Sequence, residues 1–257
     1  EASGIAASRR NPDVFYTHND SGHSAKVYAL NSSGRHLCSF SLTGVANRDW
    51  EDIAVGPGPV AGAPYLYVGD IGDNATARSE IQVYRFAEPT VPLTGPAAVV
   101  TLPAVDTLHL TYPDGPHDAE TVMVDPATND LVIVSKVLAG GTVSVYRVPA
   151  NAAAGSTTVL TKVRDLPLPT GLANAVTGGD IAPDGQTIAL RTYGAIRFYP
   201  RLDGWTLSRA FDAQACSVSV PGEIQGEAVT FNATRKGTGV ATVAEGANPT
   251  VHLTKVP

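Results

Sequence analysis

The sequence predicts an all-β fold, a five-bladed β-propeller, because one short pattern recurs five times along 257 residues. In each repeat an acidic residue stands at or near the start of a β-forming run, and a second apolar run follows after a turn. The first runs are Glu1–Ile5, Glu51–Val55, Glu120–Val124, Gly179–Pro183 and Glu227–Phe231. A period of about 50 residues with several strands per unit is typical of a propeller. The 25 Gly and 19 Pro residues supply the turns that such a fold needs.

We expect a single domain over residues 1–257, with blades at about residues 1–48, 49–104, 117–166, 176–212 and 224–257. Each blade is predicted to be an antiparallel sheet, mostly of four strands. The second strands are predicted at Val14–His18, Tyr65–Val68, Leu131–Val134, Thr187–Leu190 and Gly239–Val243. The third strands share an aromatic position, as expected for units that stack alike. Its members are Tyr28, Tyr84, Tyr146 and Tyr199.

The outer strands are less regular in sequence. Fourth strands are predicted at His36–Phe40, Ala97–Thr101, Thr158–Lys162 and Trp205–Ser208. The last blade has Val251–Lys255 as its third strand, so we expect it to be incomplete or to be closed by a strand upstream of Glu1. The segments 104–116 and 167–177 break the period and are predicted to be long loops that contribute to a binding surface.

One mouth of the propeller channel is predicted to be acidic. The first and second strands of a blade are antiparallel, so the start of one lies beside the end of the other. The first strands bring to this mouth Glu1, Ser3, Glu51, Asp52, His117, Asp118, Glu120, Asp180 and Glu227. The second-strand ends bring His18, Asp20, Asp70, Asp73, Lys136, Arg191, Tyr193 and Glu245. The opposite mouth receives segments such as Val55–Pro57 and Asp125–Ala127, which are typical of ordinary turns.

The charge balance limits the partners. Lys and Arg number 18 against 24 Asp and Glu, and the net charge of −6 argues against nucleic acid or an anionic membrane surface. No apolar stretch approaches the roughly 20 residues that span a bilayer. We therefore expect no membrane insertion, and we expect a monomer. Because the chain begins at Glu1 inside a strand, we expect a leader to precede it and the protein to be secreted.

Carboxylates gathered at one mouth suggest a metal site. Like charges raise each other's pKa, and an array that stays ionised needs a cation or buried donors. Calcium takes 6 to 8 oxygen ligands without strict geometry, which suits acids that come from separate blades. The predicted ligands are Glu51, Glu120, Asp180 and Glu227. In the alternative, the acids accept hydrogen bonds from strand-end amides or hold ordered water.

Several short motifs resemble those of a group of secreted bacterial propeller proteins, over nearly the whole chain. They include His18–Gly22, Asp49–Ile53, Gly69–Asn74, Asp118–Glu120 and Gln225–Ala228. The resemblance implies a secreted propeller. The acidic mouth is also similar in architecture to that of calcium-dependent five-bladed apyrases and arabinanase-type glycosidases. That likeness implies a hydrolase.

Two classes of function follow. In the first, a glycan hydrolase, Glu120 and Glu227 serve as acid and base in exchangeable roles, and Arg191 holds the substrate. The predicted substrate contacts are His18, Asp20, Asp70, His117, Lys136, Tyr193 and Glu245. In the second, a non-catalytic propeller holds a small molecule, sugar or peptide beside a structural calcium. The mouth residues differ between blades, which favours one composite pocket and hence the enzyme. A phosphoester hydrolase is a further alternative, although only Lys136 and Arg191 offer positive charge there.

The two cysteines, Cys38 and Cys216, are too few for a disulfide framework. They either pair with each other or remain as buried thiols. The sequence leaves both alternatives open.

Overall fold

The computed structural model of the chain describes residues 2–138, 141–220, 223, 225–232, 239–246 and 250–255. It contains five small sheets around a central channel, and this confirms the prediction of an all-β, five-bladed propeller. Strands are numbered along the chain. Among the described residues, no helix is both long and apolar enough to cross a membrane.

Blade one has an outer strand that the sequence assigned to its neighbour. It contains β1 (Ala2–Ala7), β2 (Val14–Asn19), β3 (Lys26–Asn31), β4 (His36–Leu42) and β8 (Ala98–Leu102). The first four strands are antiparallel, whereas β8 runs parallel to β4. The prediction that Ala97–Thr101 is the fourth strand of blade two is therefore wrong. Its β-forming residues indicate a strand, but they do not specify which sheet it joins.

Blade two takes its fourth strand from a segment that was predicted to be a loop. It contains β5 (Trp50–Pro57), β6 (Pro64–Asp70), β7 (Ile81–Ala87), β9 (Asp106–Thr111) and β13 (Thr157–Val159). The strand β9 pairs with β7 within the segment 104–116, and β13 runs parallel to β9. Leu108 and Leu110 are buried, so β9 shows the alternation of a half-buried strand.

Blade three contains β10 (Ala119–Val124), β11 (Leu131–Ser135), β12 (Val143–Val148) and β14 (Thr161–Leu166). The predicted strand Thr158–Lys162 is thus divided between β13 of blade two and β14 of blade three. Every residue of β10 and β11 is buried, because neighbouring blades cover both faces of the inner strands. That coverage explains why these strands are continuous apolar runs.

Blade four contains β15 (Val176–Ile181), β16 (Thr187–Thr192), β17 (Ala195–Pro200) and β18 (Cys216–Ser219). The segment predicted as its fourth strand, Trp205–Ser208, instead leads into a short helix, α1 (Leu207–Ala210). Thr206 caps this helix by accepting a hydrogen bond from the Arg209 amide. A 3-10 helix, Leu172–Asn174, lies in the loop that precedes β15.

Three crossing segments, β8, β13 and α1, share one topological position. Each follows the third strand of its own blade and covers the outer edge of the preceding blade before the chain returns. For α1 the contact is with blade three, where Arg164 Nη1 donates to the Ser208 carbonyl at 2.6 Å. Blades two, three and four are therefore each joined to the blade before them at the rim.

Blade five has three strands among the described residues, β19 (Gly226–Asn232), β20 (Gly239–Ala244) and β21 (His252–Lys255). The prediction that Val251–Lys255 forms the third strand of this blade is confirmed by β21, which pairs with β20. The inner strands contact one another in the cyclic order β1, β5, β10, β15, β19 and back to β1. Apolar clusters fill each interface between successive blades, and one of them packs Ile5 and Phe15 of blade one against Ala228 and Val243 of blade five. The ring is thus closed.

Both cysteines are free thiols. Cys38 is buried in β4, whereas Cys216 is exposed in β18 of blade four. The disulfide alternative is therefore not the one observed, and one of the two thiols is not buried.

Candidate functional site at the acidic mouth

All five inner strands carry a β-bulge at the same end of the channel. In each blade the pairing of the first two strands shifts by one residue there. The extra residues are Ser3, Glu51, Glu120, Thr177 and Glu227. A bulge re-aims the side chain of the extra residue and is common beside functional sites. Three of the five equivalent positions at this mouth therefore carry a glutamate.

A second set of equivalent positions lies beside the bulges, directly after each second strand. Its members are Asp20, Ile71, Lys136, Tyr193 and Glu245. Ile71 is fully buried, and the other four reach the mouth. The sequence placed Asp70 at this position in blade two, one residue too early.

Of these ten side chains, all but Thr177 and Ile71 line a cavity of about 180 Å³, which we call the acidic pocket. Its lining residues are Ala2, Ser3, Asp20, Ser21, Asp49, Glu51, Asn74, Glu120, Lys136, Tyr193, Glu227 and Glu245. Six of these carry carboxyl groups and one carries an ammonium group, so acidic groups outnumber basic groups six to one in the described lining. Seven of the residues predicted for the site lie here, namely Asp20, Glu51, Glu120, Lys136, Tyr193, Glu227 and Glu245.

Three of the acids form a group that we call the acidic trio. One carboxylate oxygen of each of Asp20, Asp49 and Glu51 lies within 4.8 Å of the others. Gly72 backs the trio, since a Cβ built there would lie 2.2 Å from Glu51 Oε1 and 2.5 Å from Asp49 Oδ2. Glycine therefore leaves room for two carboxylates that a larger residue would displace. Hard oxygen donors held this close could hold a metal ion.

The electrostatics of the trio favour a cation. Burial raises the pKa of Glu51 well above its ordinary value, and Glu120, Asp20 and Asp49 raise it further. Burial likewise raises the pKa of Asp49, and Asp20 adds to the effect. These groups resist ionisation because they meet one another out of bulk water. A divalent cation bound between them would lower their pKa values and stabilise the ionised carboxylates.

Glu120 is paired with Lys136, the positively charged side chain among the described lining residues of the pocket. Its Oε1 accepts a hydrogen bond from Lys136 Nζ, and both side chains are nearly buried. The Lys136 ammonium also lies 5.4 Å from the centre of the Tyr193 ring. Burial raises the pKa of Glu120, and contact with Lys136 opposes that rise. Burial lowers the pKa of Lys136, but Glu120 reverses this and raises it above its ordinary value, so Lys136 stays protonated.

Glu227 is the second carboxyl group in reach of Lys136. Burial raises its pKa to about 7, Lys136 opposes the rise, and Glu245 adds to it. A carboxylic acid with that pKa can hold a proton near neutral pH and also release it.

Asp180 does not lie with the mouth acids, although the sequence analysis grouped it with them as a metal ligand. Thr177 occupies the bulge of blade four, and Asp180 lies three residues further into the channel. Its Oδ2 accepts hydrogen bonds from Thr230 Oγ1 and the Phe231 amide, both at 2.8 Å. Its Oδ1 accepts from the Ile181 amide at 2.8 Å. Asp180 therefore joins blade four to blade five.

Three other residues predicted for the site contact other parts of the protein and do not line the acidic pocket. His18 is fully buried with its ring 5.7 Å from that of Trp50, and burial lowers its pKa to about 4. Asp70 forms a buried ion pair with Arg78 at 2.8 Å. His117 bonds to the carboxylate of nearby Asp114 at 3.0 Å and does not line the acidic pocket.

Arg191 lies behind the mouth and not in it. Its guanidinium is fully buried, with Nη2 2.9 Å from Glu223 Oε2. Gly226 leaves it room, because a Cβ there would lie 1.6 Å from Nη2. Burial lowers the pKa of Arg191, and the Glu223 and Glu227 carboxylates oppose this. In this position Arg191 supports the wall of the pocket near Glu227.

The sequence analysis missed Asp49, Ser21 and Asn74 as lining residues. Asp49 was visible within the motif Asp49–Ile53, but it precedes the predicted strand and its closeness to Asp20 depends on how blades one and two meet. Glu1, which was placed at the mouth, lies outside the described residues.

Comparison with known proteins identifies no family for this chain. No family model matches the chain, and none of the curated proteins matches it. Among solved structures, the chain is similar to hydrazine synthase from Kuenenia stuttgartiensis, with 12% identity and a TM-score of 0.49. The match covers 99% of this chain and 95% of that chain. At this level neither family nor activity is transferred, and the resemblance to secreted bacterial propellers stays a prediction.

Proposed function

We propose that the protein is a secreted, monomeric, calcium-binding propeller that hydrolyses a glycan at the acidic pocket. The observation that carries this proposal is the acidic trio, whose oxygens lie within 4.8 Å of one another. Beside it, Glu120 and Glu227 line the same pocket with raised pKa values. The proposal thus combines a cation site with a pair of carboxyl groups suited to proton transfer.

Calcium is the cation that the trio suits best. Its ligands are carboxylate oxygens from Asp20, Asp49 and Glu51, and the chain offers no nitrogen or sulfur ligand among the described lining residues. Calcium accepts such ligands in a flexible arrangement and completes its shell with water. Secretion fits this choice, because sites of modest affinity fill at extracellular calcium concentrations.

The two remaining glutamates have different surroundings, and this supports different roles. Glu227, with a pKa of about 7, suits the general acid that protonates the leaving oxygen of a glycosidic bond. Glu120 forms an ion pair with the Lys136 ammonium, which suits a carboxylate that acts as base or nucleophile, although burial still holds the pKa of Glu120 above its ordinary value. The sequence analysis left these roles exchangeable, and we assign them in this order on the ion pair alone.

The pocket limits what enters it. A cavity of about 180 Å³ is smaller than the roughly 300 Å³ at the lower end of drug-sized ligand sites. Its lining is almost entirely polar, which suits a ligand rich in hydroxyl groups. We therefore expect one sugar unit at the end of a chain to enter.

A non-catalytic propeller is the second candidate. The observation that favours it is the contact of Lys136 with Glu120, which engages one of the two catalytic candidates. A phosphoester hydrolase has less support. Lys136 is the positive group among the described lining residues, and Arg191 is paired with Glu223 behind the wall.

Calcium binding is tested by titration calorimetry of chelator-treated protein, with magnesium as the comparison ion. We expect one site, and about 2.7 kcal/mol of added stability at a calcium concentration of 100 times Kd. Asp49→Asn should abolish binding. Asp203→Asn, on an exposed turn of blade four, should leave it unchanged. A melting temperature that does not respond to calcium would refute the metal site.

Hydrolysis is tested by the release of reducing sugar from a panel of polysaccharides in the presence of calcium. We expect Glu120→Gln and Glu227→Gln to lower turnover by about 100-fold or more while calcium still binds. Asp203→Asn serves again as the control. Full turnover by both glutamine variants would contradict the catalytic assignment. Saccharide binding without cleavage by the wild type would instead support the non-catalytic propeller.

A further inference from the structure

The channel opens a second time at the mouth opposite the acidic pocket. This mouth holds a cavity of about 530 Å³, against about 180 Å³ for the acidic pocket. The hairpin turn between β5 and β6 forms one wall, and the ends of β10 and β15 form others. The sequence analysis predicted ordinary turns here, and the proposed hydrolase does not use this cavity, which shares no lining residue with the acidic pocket.

The lining of this second mouth is apolar with one positive charge. Val55, Val124 and Ile181 lie at equivalent positions, four residues beyond the bulges of their inner strands. Pro57, Pro64, Pro126 and Pro183 surround them, together with small residues. Of the described residues that line the cavity, Arg9 is the charged one and Asn129 the neutral polar one. This composition is the reverse of the acidic pocket.

Arg9 is fixed by its backbone and is incompletely paired. Its amide, two residues after the end of β1, donates to Glu88 Oε2 at 3.2 Å. Its guanidinium is near enough to Asp180 to oppose the effect of burial on the pKa of that acid. Asp180, however, already accepts hydrogen bonds from Thr230 and Phe231. Among the described residues, Arg9 Nη1 is buried without a hydrogen-bond acceptor.

We propose that the second mouth binds a small organic anion that carries a carboxylate on an apolar body. The carboxylate would accept hydrogen bonds from the Arg9 guanidinium, whose planar donors match its two oxygens. The apolar body would lie against Val55, Val124 and Ile181 and the surrounding proline rings. A cavity of about 530 Å³ is within the range of known small-molecule sites. An aromatic or branched aliphatic acid has this chemistry.

The probe is 2-naphthoate, titrated into the wild-type protein by calorimetry, with 2-naphthamide and acetate as comparisons. We expect one site for 2-naphthoate and at least about tenfold weaker binding of the other two compounds. The amide lacks the carboxylate charge, and acetate lacks the apolar body. Arg9→Gln should weaken 2-naphthoate by about tenfold or more. Arg10→Gln, an exposed neighbour that does not line the cavity, is the matched control and should bind normally.

A second variant tests the apolar half with the charge intact. Ala63→Phe places a ring in the cavity wall and should also weaken 2-naphthoate by about tenfold. Glu51→Gln, in the acidic pocket, should bind 2-naphthoate as the wild type does, which separates this proposal from the calcium site. No binding of 2-naphthoate by the wild type, equal binding by Arg9→Gln, or equal binding of acetate would each overturn the proposal.

Discussion

The glutamates at the mouth and the aspartates deeper in the channel all lie on inner strands, but their surroundings differ. Asp52 is fully buried and accepts hydrogen bonds from the Ile53 amide at 2.9 Å and the Val122 amide at 3.0 Å. Asp180 accepts three such bonds. Glu51 and Glu227 instead face other carboxyl groups. Acids that meet donors join neighbouring blades, and acids that meet one another form a group that could hold a metal ion.

The largest effect on stability is expected when an acid deep in the channel is removed. Asp180→Ala leaves the Phe231 and Ile181 amides and the Thr230 hydroxyl without their acceptor. We expect a loss of about 3–5 kcal/mol in the free energy of unfolding. Glu51→Gln should cost less than about 1 kcal/mol in calcium-free protein, because it removes a charge that is repelled by its neighbours. Urea unfolding measures both. Equal losses of stability for the two variants would contradict the difference between acids at the mouth and acids deeper in the channel.

Acidity provides a second test, through Glu227. Its pKa rises from 4.5 in the unfolded chain to about 7 in the folded protein, so the folded state holds a proton that the unfolded state has released. Its contribution to stability is therefore present in full below pH 4.5 and is lost as the pH rises through about 7. We expect calcium-free protein to lose up to about 3 kcal/mol over this range.

The measurement is urea unfolding at about pH 5 and about pH 7.5, without calcium. Glu227→Gln should show a smaller difference between the two conditions, because its side chain does not titrate. Greater stability of the wild type at the higher pH would contradict the expected sign.

The smallest test concerns the glycine behind the trio. In Gly72→Ala the new methyl group would lie 2.2 Å from Glu51 Oε1, so the carboxylate must move. We expect calcium affinity to fall by about tenfold, which is about 1.4 kcal/mol, with little change in fold stability. Gly62→Ala, where a Cβ meets nothing within 4 Å but the backbone φ is +77°, is the contrasting control. It should cost stability and leave calcium binding intact. Unchanged calcium affinity in Gly72→Ala would mean that the trio does not hold the ion.

The sequence predicted the fold class because apolar runs and turns repeat with a constant period. It also aligned Glu51, Glu120 and Glu227 correctly, since each stands two residues before an aligned apolar residue. It misplaced Asp180 because the letters Asp-Ile-Ala occur in both blade two and blade four. Side chains two residues apart share a face of a strand, but their depth in the channel depends on the bulge. A single chain does not reveal the position of a bulge.

Other parts of the site depend on contacts between distant segments. Arg191 was assigned to the mouth from its place at a strand end, but Glu223 and Gly226 hold it behind the wall. Asp49 joins Asp20 through the meeting of two blades. The outer strands were assigned to the wrong blades because the residues of a strand do not determine which neighbouring strand it pairs with.

The crossing segment β8 has a mechanical consequence for the proposed calcium site. It ties the outer edge of blade one to the chain of blade two, and these two blades supply all three ligands of the trio, Asp20 from the first and Asp49 and Glu51 from the second. Shear between the two blades would have to break this tie at the circumference as well as the packing near the axis. The trio is therefore held in place by the fold itself, and if it binds an ion as proposed, little ordering entropy would remain to be lost on binding.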